Sequence, residues 1–154
     1  MRVITILVLL FLSVTVKVSA QINLCDTVTV LKYEPIPVAT SPGHFTNGYE
    51  LQVNDITYHV VVNKMKRIEF VSTSDTAFRT GTIAVGTTYF NVPKKMIKSE
   101  RPNYGWGYEV TLKNGWTAVF DDGLVAKSLT ISRKAKIGWF YKITDCKEYT
   151  PVSE

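Results

Sequence analysis

The chain has 154 residues, 45% of them hydrophobic, and 18 Lys and Arg against 13 Asp and Glu give a net charge of +5. That length holds one compact domain with a buried core and is too short for two. The basic excess is mild and forms no concentrated stripe on a recognisable motif, which argues against nucleic acid as a partner.

Met1-Arg2, an apolar run from Val3 to Val16, and Lys17-Val18-Ser19-Ala20 have the charge, length and small-residue ending of a secretory signal peptide cut after Ala20. The apolar run is too short to span a membrane, so the mature chain is expected to have no transmembrane segment. The expected organisation is a cleaved leader, 1–20, and a single β domain, 21–154, secreted or periplasmic. Loss of Arg2 and Lys17 lowers the net charge from +5 to about +3.

Cys25 and Cys146 are the two cysteines and sit near the two ends of the mature domain. In an exported chain such a pair predicts one disulfide, a terminal staple. No Cys-x-x-Cys spacing supports redox catalysis. Ile22-Asn23-Leu24 is not the small-residue context of a lipoprotein signal, and no Asn-x-Ser/Thr sequon occurs, which leans toward a bacterial envelope protein.

Asp26 to Tyr33, rich in Thr and Val, predicts a first strand. Glu34 to Gly43 contains Pro35, Pro37 and Pro42 and predicts an extended loop. Tyr49–Val53 and Ile56–Val62 flank Asn54-Asp55, a tight-turn dipeptide, and Arg67–Ser72 adds a third strand to this meander. Ser72–Thr82 reads as a polar loop, followed by a short Ile83-Ala84-Val85 segment. Within Thr87–Ile97, Thr88 is a candidate cap for a helix of one or two turns, although Pro93 disfavours its continuation.

Trp106, Tyr108, Val110 and Leu112 alternate with polar or small residues, the period of a strand with one buried face. Asn114-Gly115 is a hairpin signal, and Trp116, Ala118 and Phe120 alternate on the returning strand. Leu124–Ser132 and Ile137–Ile143 are two more strands around a charged Arg133-Lys134-Ala135-Lys136 turn, with Ile137, Trp139, Tyr141 and Ile143 expected on one face. The expected fold is mainly β: a single antiparallel sandwich or small barrel of about eight strands, with at most one short helix.

His44 and His59 lie in no metal-ligand spacing, and no Gly-x-Ser-x-Gly elbow is present. Thr80-Gly81-Thr82 to Gly86 lacks the Gly-Lys-Ser/Thr end that cradles phosphate, and Asp121-Asp122-Gly123 lacks calcium-loop spacing. No catalytic residue, metal or cofactor is assigned. Aromatic residues offer the best recognition candidates, because flat rings give large contact area at low entropy cost. Tyr104, Trp106, Trp116, Trp139 and Phe140 are the candidate ligand-binding residues; the same rings would also fill a small β core. Tyr104 and Phe140 fall outside the alternation and are expected to be exposed. Basic clusters at Lys64-Lys66-Arg67, Lys94-Lys95-Lys98-Arg101 and Arg133-Lys134-Lys136 are solvated turns unless two of them converge on an anionic surface.

Ile83 to Val92, reading Ile-Ala-Val-Gly-Thr-Thr-Tyr-Phe-Asn-Val, resembles the Val-Gly-x-Thr-x-x-x-Val segment of small exported bacterial envelope proteins. They include the outer-membrane assembly lipoproteins and β-lactamase-inhibitor-like modules, where the segment enters a short helix beside a sheet. Phe78, Thr80, Ile83, Val85, Gly86 and Thr88 extend the likeness to secreted proteins of unknown activity. The resemblance implies an envelope binding or assembly module and transfers no catalytic residue. The expected function is therefore a non-enzymatic interaction or inhibitor-like module with a protein partner. The alternatives are a carbohydrate-binding module and a secreted hydrolase.

Overall fold

The computed structural model describes residues 22–28, 33–120, 130–144 and 146. The leader, most of the Leu124–Ser132 strand, Asp121-Asp122-Gly123 and residues 29–32 of the Asp26–Tyr33 strand lie outside the described residues. The chain is mainly β. Strands β1 (Ile36–Ser41), β2 (His44–Val53), β3 (Ile56–Val62) and β4 (Ile68–Thr73) form one antiparallel meander. Strands β7 (Ile97–Asn103), β8 (Gly107–Leu112) and β9 (Thr117–Phe120) form a second. Between them runs β10 (Ile137–Ile143), giving one eight-stranded sheet in the order β1-β2-β3-β4-β10-β9-β8-β7. The sheet curls into a half-barrel. A separate hairpin pairs β5 (Arg79–Thr80) with β6 (Ile83–Ala84).

Local chemistry explains the turns. Asn54 and Asp55 take φ of 52° and 61° between β2 and β3, the left-handed pair that matches hairpin twist. Between β8 and β9 the turn is longer, spanning Lys113-Asn114-Gly115 with Gly115 at φ 87°. Asn114 holds it by accepting from the Trp116 amide and donating to Thr80 Oγ1 at 2.6 Å.

Four expectations are corrected. Within the expected Glu34–Gly43 loop, Ile36–Ser41 is strand β1, and Pro37 is tolerated because β1 is an edge strand whose outer N–H groups need no partner. The helix expected within Thr87–Ile97 is two isolated 3₁₀ turns, Tyr89–Asn91 and Lys94–Met96, separated by Pro93; Thr88 makes no side-chain cap. Trp106 does not share the face of Tyr108, because Gly107 at φ 125° turns the chain between them. A register shift between Ile137 and Trp139 likewise puts Ile137 on one face and Trp139 and Tyr141 on the other. Strand β7, whose sequence alternates poorly, had no clear signal.

The two faces of the sheet carry separate cores. The larger contains Tyr58, Val60, Val71, Val110, Leu112, Trp116, Ala118, Phe120 and Phe140, covered by Phe78, Ile83 and Val92 from the β4–β7 connection. Asp75 fixes that connection: its carboxylate accepts from the Thr57 and Ala77 amides at 3.1 and 2.8 Å. These hydrogen bonds hold the carboxyl below its ordinary range. Phe78 is thereby driven inward against Phe140, Trp116 and Tyr58, with ring centroids 5.2, 4.8 and 6.1 Å away.

The smaller core joins Val38 of β1, Val61 of β3 and Phe70 of β4 with Trp106, Trp139 and Tyr141. Residues from opposite ends of the strand order meet here, so this is the concave face. Gly48 permits the curl: a Cβ there would strike the Val60 carbonyl oxygen and lie 2.6 Å from Val38 Cγ2. At one corner the sheet ends touch, since a Cβ on Gly105 would lie 3.1 Å from Pro42.

The expected disulfide is present. Cys25 and Cys146 are bonded, with Cα atoms 5.5 Å apart. The Cys25 segment is also clipped to the start of β4, its amide donating to the Ile68 carbonyl and the Ile68 amide returning a bond to Asp26.

Candidate functional site

The five aromatic candidates separate into three environments. Trp116 and Phe140 are 3% and 0% exposed within the larger core, so neither can touch a ligand, and the expectation that Phe140 is exposed is corrected. The reason is the shifted register of β10, which places Phe140 opposite Ala118 and Thr73 on the covered face. Trp106 and Trp139 are half-buried on the concave face, meeting edge to face with centroids 4.7 Å apart and an interplanar angle of 76°. Tyr141 closes this trio, 5.4 Å from each ring. Only Tyr104, in the β7–β8 turn, is openly exposed. Two tryptophans held at right angles by each other do not form a pair of parallel platforms for a sugar.

Beside the trio lies a buried carboxylate. Glu109 on β8 is 2% exposed and accepts hydrogen bonds from Arg101 Nε at 2.9 Å, from Asn103 Nδ2 at 2.5 Å and from the Tyr141 hydroxyl at 2.9 Å. Three donors on one buried carboxylate balance its desolvation, which fits a structural hub tying β7, β8 and β10. Burial and the neighbouring Glu109 push the Tyr141 hydroxyl up to about 12.

The histidines offer one further arrangement. Glu50, His59 and Ser72 are directly opposed on β2, β3 and β4. His59 Nε2 lies 3.5 Å from Glu50, with both side chains well exposed to water. Ser72 is buried and makes no hydrogen bond to His59, so the pair reads as a cross-strand surface contact. His44 stands exposed beside the β1–β2 turn. Among the described residues no group of three or more His, Cys, Asp or Glu converges as a metal site.

A cleft on the opposite face has a different character. The chain from Gly86 to Phe90 runs antiparallel to residues 133–137: the Gly86 amide donates to Ile137, Tyr89 to Ala135 and Phe90 to Arg133. This pairing brings the basic cluster that begins at Lys94 together with the one that begins at Arg133. Between them opens a cleft of about 580 Å³, lined by Tyr89, Phe90, Val92, Lys94, Ile97, Glu100 and Arg133. Its size falls in the range of small-ligand and side-chain pockets.

The walls are built differently. Tyr89 packs edge-on against Tyr108 and Phe120, at 5.9 and 5.6 Å, anchoring the first 3₁₀ turn to the core. Val92 and Ile97 supply apolar surface. Phe90 forms an exposed lip with the Arg133 guanidinium 4.0 Å above its ring, a cation–π contact that orients the cation. The lining carboxylate, Glu100, accepts from the Tyr89 hydroxyl at 2.7 Å. Burial, then Glu100, pushes that hydroxyl up to about 12. The cleft combines apolar walls with two cations and one carboxylate.

Sequence reasoning named the two basic clusters but not Tyr89, Phe90, Glu100 or Glu109 as site residues. Nothing in local periodicity distinguishes them, since their roles arise from contacts between distant strands.

Of the four tyrosines raised by burial among the described residues, the two raised furthest carry a pH signature. An unfolded tyrosine ionises near 10.0, whereas Tyr89 and Tyr141 hold their protons to about 12. Below pH 10 their contribution to stability is complete. As pH climbs toward 12 the unfolded chain loses those protons first, and stability falls. Denaturant midpoints measured against pH should decline across that window, and the decline should shrink in Tyr89→Phe and Tyr141→Phe. A flat profile in the parent protein would contradict the assignment.

Among the described residues no helix is long and apolar enough to cross a membrane. Comparison with protein-family models, curated proteins and solved structures finds no match to this chain.

Proposed function

We propose that this protein is an exported, non-enzymatic binding module that holds an acidic surface of a protein partner at the cleft lined by Phe90, Lys94 and Arg133. The observation that carries this reading is the meeting of Lys94 and Arg133, far apart in the chain, around one slot with apolar walls and an aromatic lip. Cations around a hydrophobic pocket suit an anionic partner that also buries side chains, because the pocket supplies affinity and the charges supply rate and orientation. Export is supported by the leader-like residues 1–20 and by the Cys25–Cys146 disulfide, which forms readily in oxidising compartments. The likeness of Ile83–Val92 to envelope assembly and inhibitor modules points the same way. The residue that follows Thr88 in that segment is Tyr89, the inner wall of the cleft.

Calorimetric titration with polyglutamate tests the reading. Binding should be measurable at low salt and weaken as salt is added. Charge reversal of both rim cations, Lys94→Glu with Arg133→Glu, should lower affinity by about a hundredfold, or about 2.7 kcal/mol. The charge-matched control Lys95→Glu with Lys134→Glu lies outside the cleft lining and should lower it several-fold less. Equal losses in the two double variants, or no binding by the parent protein, would refute a cleft-directed acidic partner.

A further inference from the structure

Resting on that reading, we infer that the acidic partner binds as an extended segment, added as a ninth strand along the outer edge of β7 and seating one apolar side chain in the cleft. Strand β7 is the last in the sheet order, and among the described residues no strand pairs with its outer side. In an antiparallel strand, alternate residues direct N–H and C=O groups away from the neighbour, so an edge is a ready template for another chain. Residues 98–101 of β7 are exposed along this edge.

The cleft adjoins that template. Ile97 and Glu100 belong to β7 and also line the cleft, so a strand laid beside β7 runs past its mouth. Side chains of an extended guest alternate in direction. One set would face Val92 and Ile97, where an aliphatic residue fits. Acidic residues flanking it would come within reach of Lys94 and Arg133, with exposed Lys98 on the strand itself. The Glu100 carboxylate keeps its charge while accepting from the Tyr89 hydroxyl, and Lys94, Lys98 and Arg133 outnumber it along the path of the guest. Pro102 has no amide hydrogen and sits at the end of β7 away from Ile97, which confines pairing to Ile97–Arg101. Charge decides against a second copy of this chain as occupant, since it would bring one basic rim against another.

Hydrogen exchange on the protein with a blocked decapeptide of alternating glutamate and valine provides the test, beside two comparison peptides. One replaces glutamate with lysine; the other is N-methylated at alternate residues. The Glu–Val peptide should slow exchange of outward amides between Ile97 and Arg101 by about tenfold or more at saturation. The Lys–Val peptide should not bind, and N-methylation should abolish binding by removing the ladder donors. Cleft-dependent binding of polyglutamate with no protection on β7, or an N-methylated peptide that binds as tightly, overturns strand addition and leaves the acidic-partner reading standing. Failure of both polyglutamate and the Glu–Val peptide to bind removes both. A dimer that protects the same amides without peptide also overturns the inference, in favour of self-association.

Discussion

Replacing Cys25 and Cys146 together by alanine is expected to destabilise the protein by about 4–5 kcal/mol, because the cross-link closes a loop of more than a hundred residues in the unfolded chain. The two cysteines are 121 positions apart, so the bond constrains nearly the whole domain when it unfolds. In the folded state the change is small. The N-terminal segment keeps its Cys25–Ile68 and Asp26–Ile68 backbone bonds, Val28 keeps its bond to Lys66, and the Thr144 amide still donates to Glu69. The urea midpoint should therefore fall by roughly 2–3 M, and the slope should steepen because the unfolded chain, freed of its cross-link, exposes more surface. Alanine pairs avoid the reactive free thiol that a single substitution would leave. A loss below about 1 kcal/mol would show that the unfolded chain is already held compact near its ends.

Gly107→Ala should be similarly damaging, by about 4 kcal/mol or more. Two penalties combine. Gly107 sits at φ 125°, a conformation closed to L side chains, and a Cβ there would collide with the backbone carbonyl oxygen of Phe120. A carbonyl within the β8–β9 ladder cannot swing aside without breaking its register. Gly115→Ala is the informative comparison. Gly115 also has positive φ, at 87°, but its added Cβ meets only the flexible end of Lys142. Its expected loss is about 1–2 kcal/mol. Denaturation followed by tryptophan fluorescence would separate the two, since Trp106 is adjacent to the first site and Trp116 to the second. Equal losses at the two glycines would mean that backbone conformation alone, without the collision, sets the penalty.

Those glycines also show where sequence reading succeeds and where it stops. Asn54-Asp55 announces its hairpin because the turn chemistry is local, and the Trp116-Ala118-Phe120 alternation holds because no irregularity interrupts that short strand. Counting along β8 and β10 fails for the same period, since Gly107 and the bulge beside Gly138 each change the face of the rings that follow. A proline count misjudged β1, because whether a missing amide matters depends on which side of the sheet the strand occupies. The cysteine pairing was legible from number and placement alone. Lys94 and Arg133 were visible as charges, yet their shared cleft depends on residues 86–90 lying beside 133–137, a contact that no stretch of sequence announces. Glu109 was invisible as a buried hub for the same reason, its three donors coming from β7 and β10.

The central position of β10 has a consequence for biogenesis. The first meander ends at β4 and the second begins with β7, and neither touches the other within the sheet until the segment Ile137–Ile143 slides between β4 and β9. A nascent chain released as far as Phe120 thus carries two half-sheets, each with a naked apolar border, and completion waits on a keystone made late. Long-range closure of this type is slow and leaves sticky borders open meanwhile. Such a polypeptide stays open to self-association along both borders until the final wedge arrives.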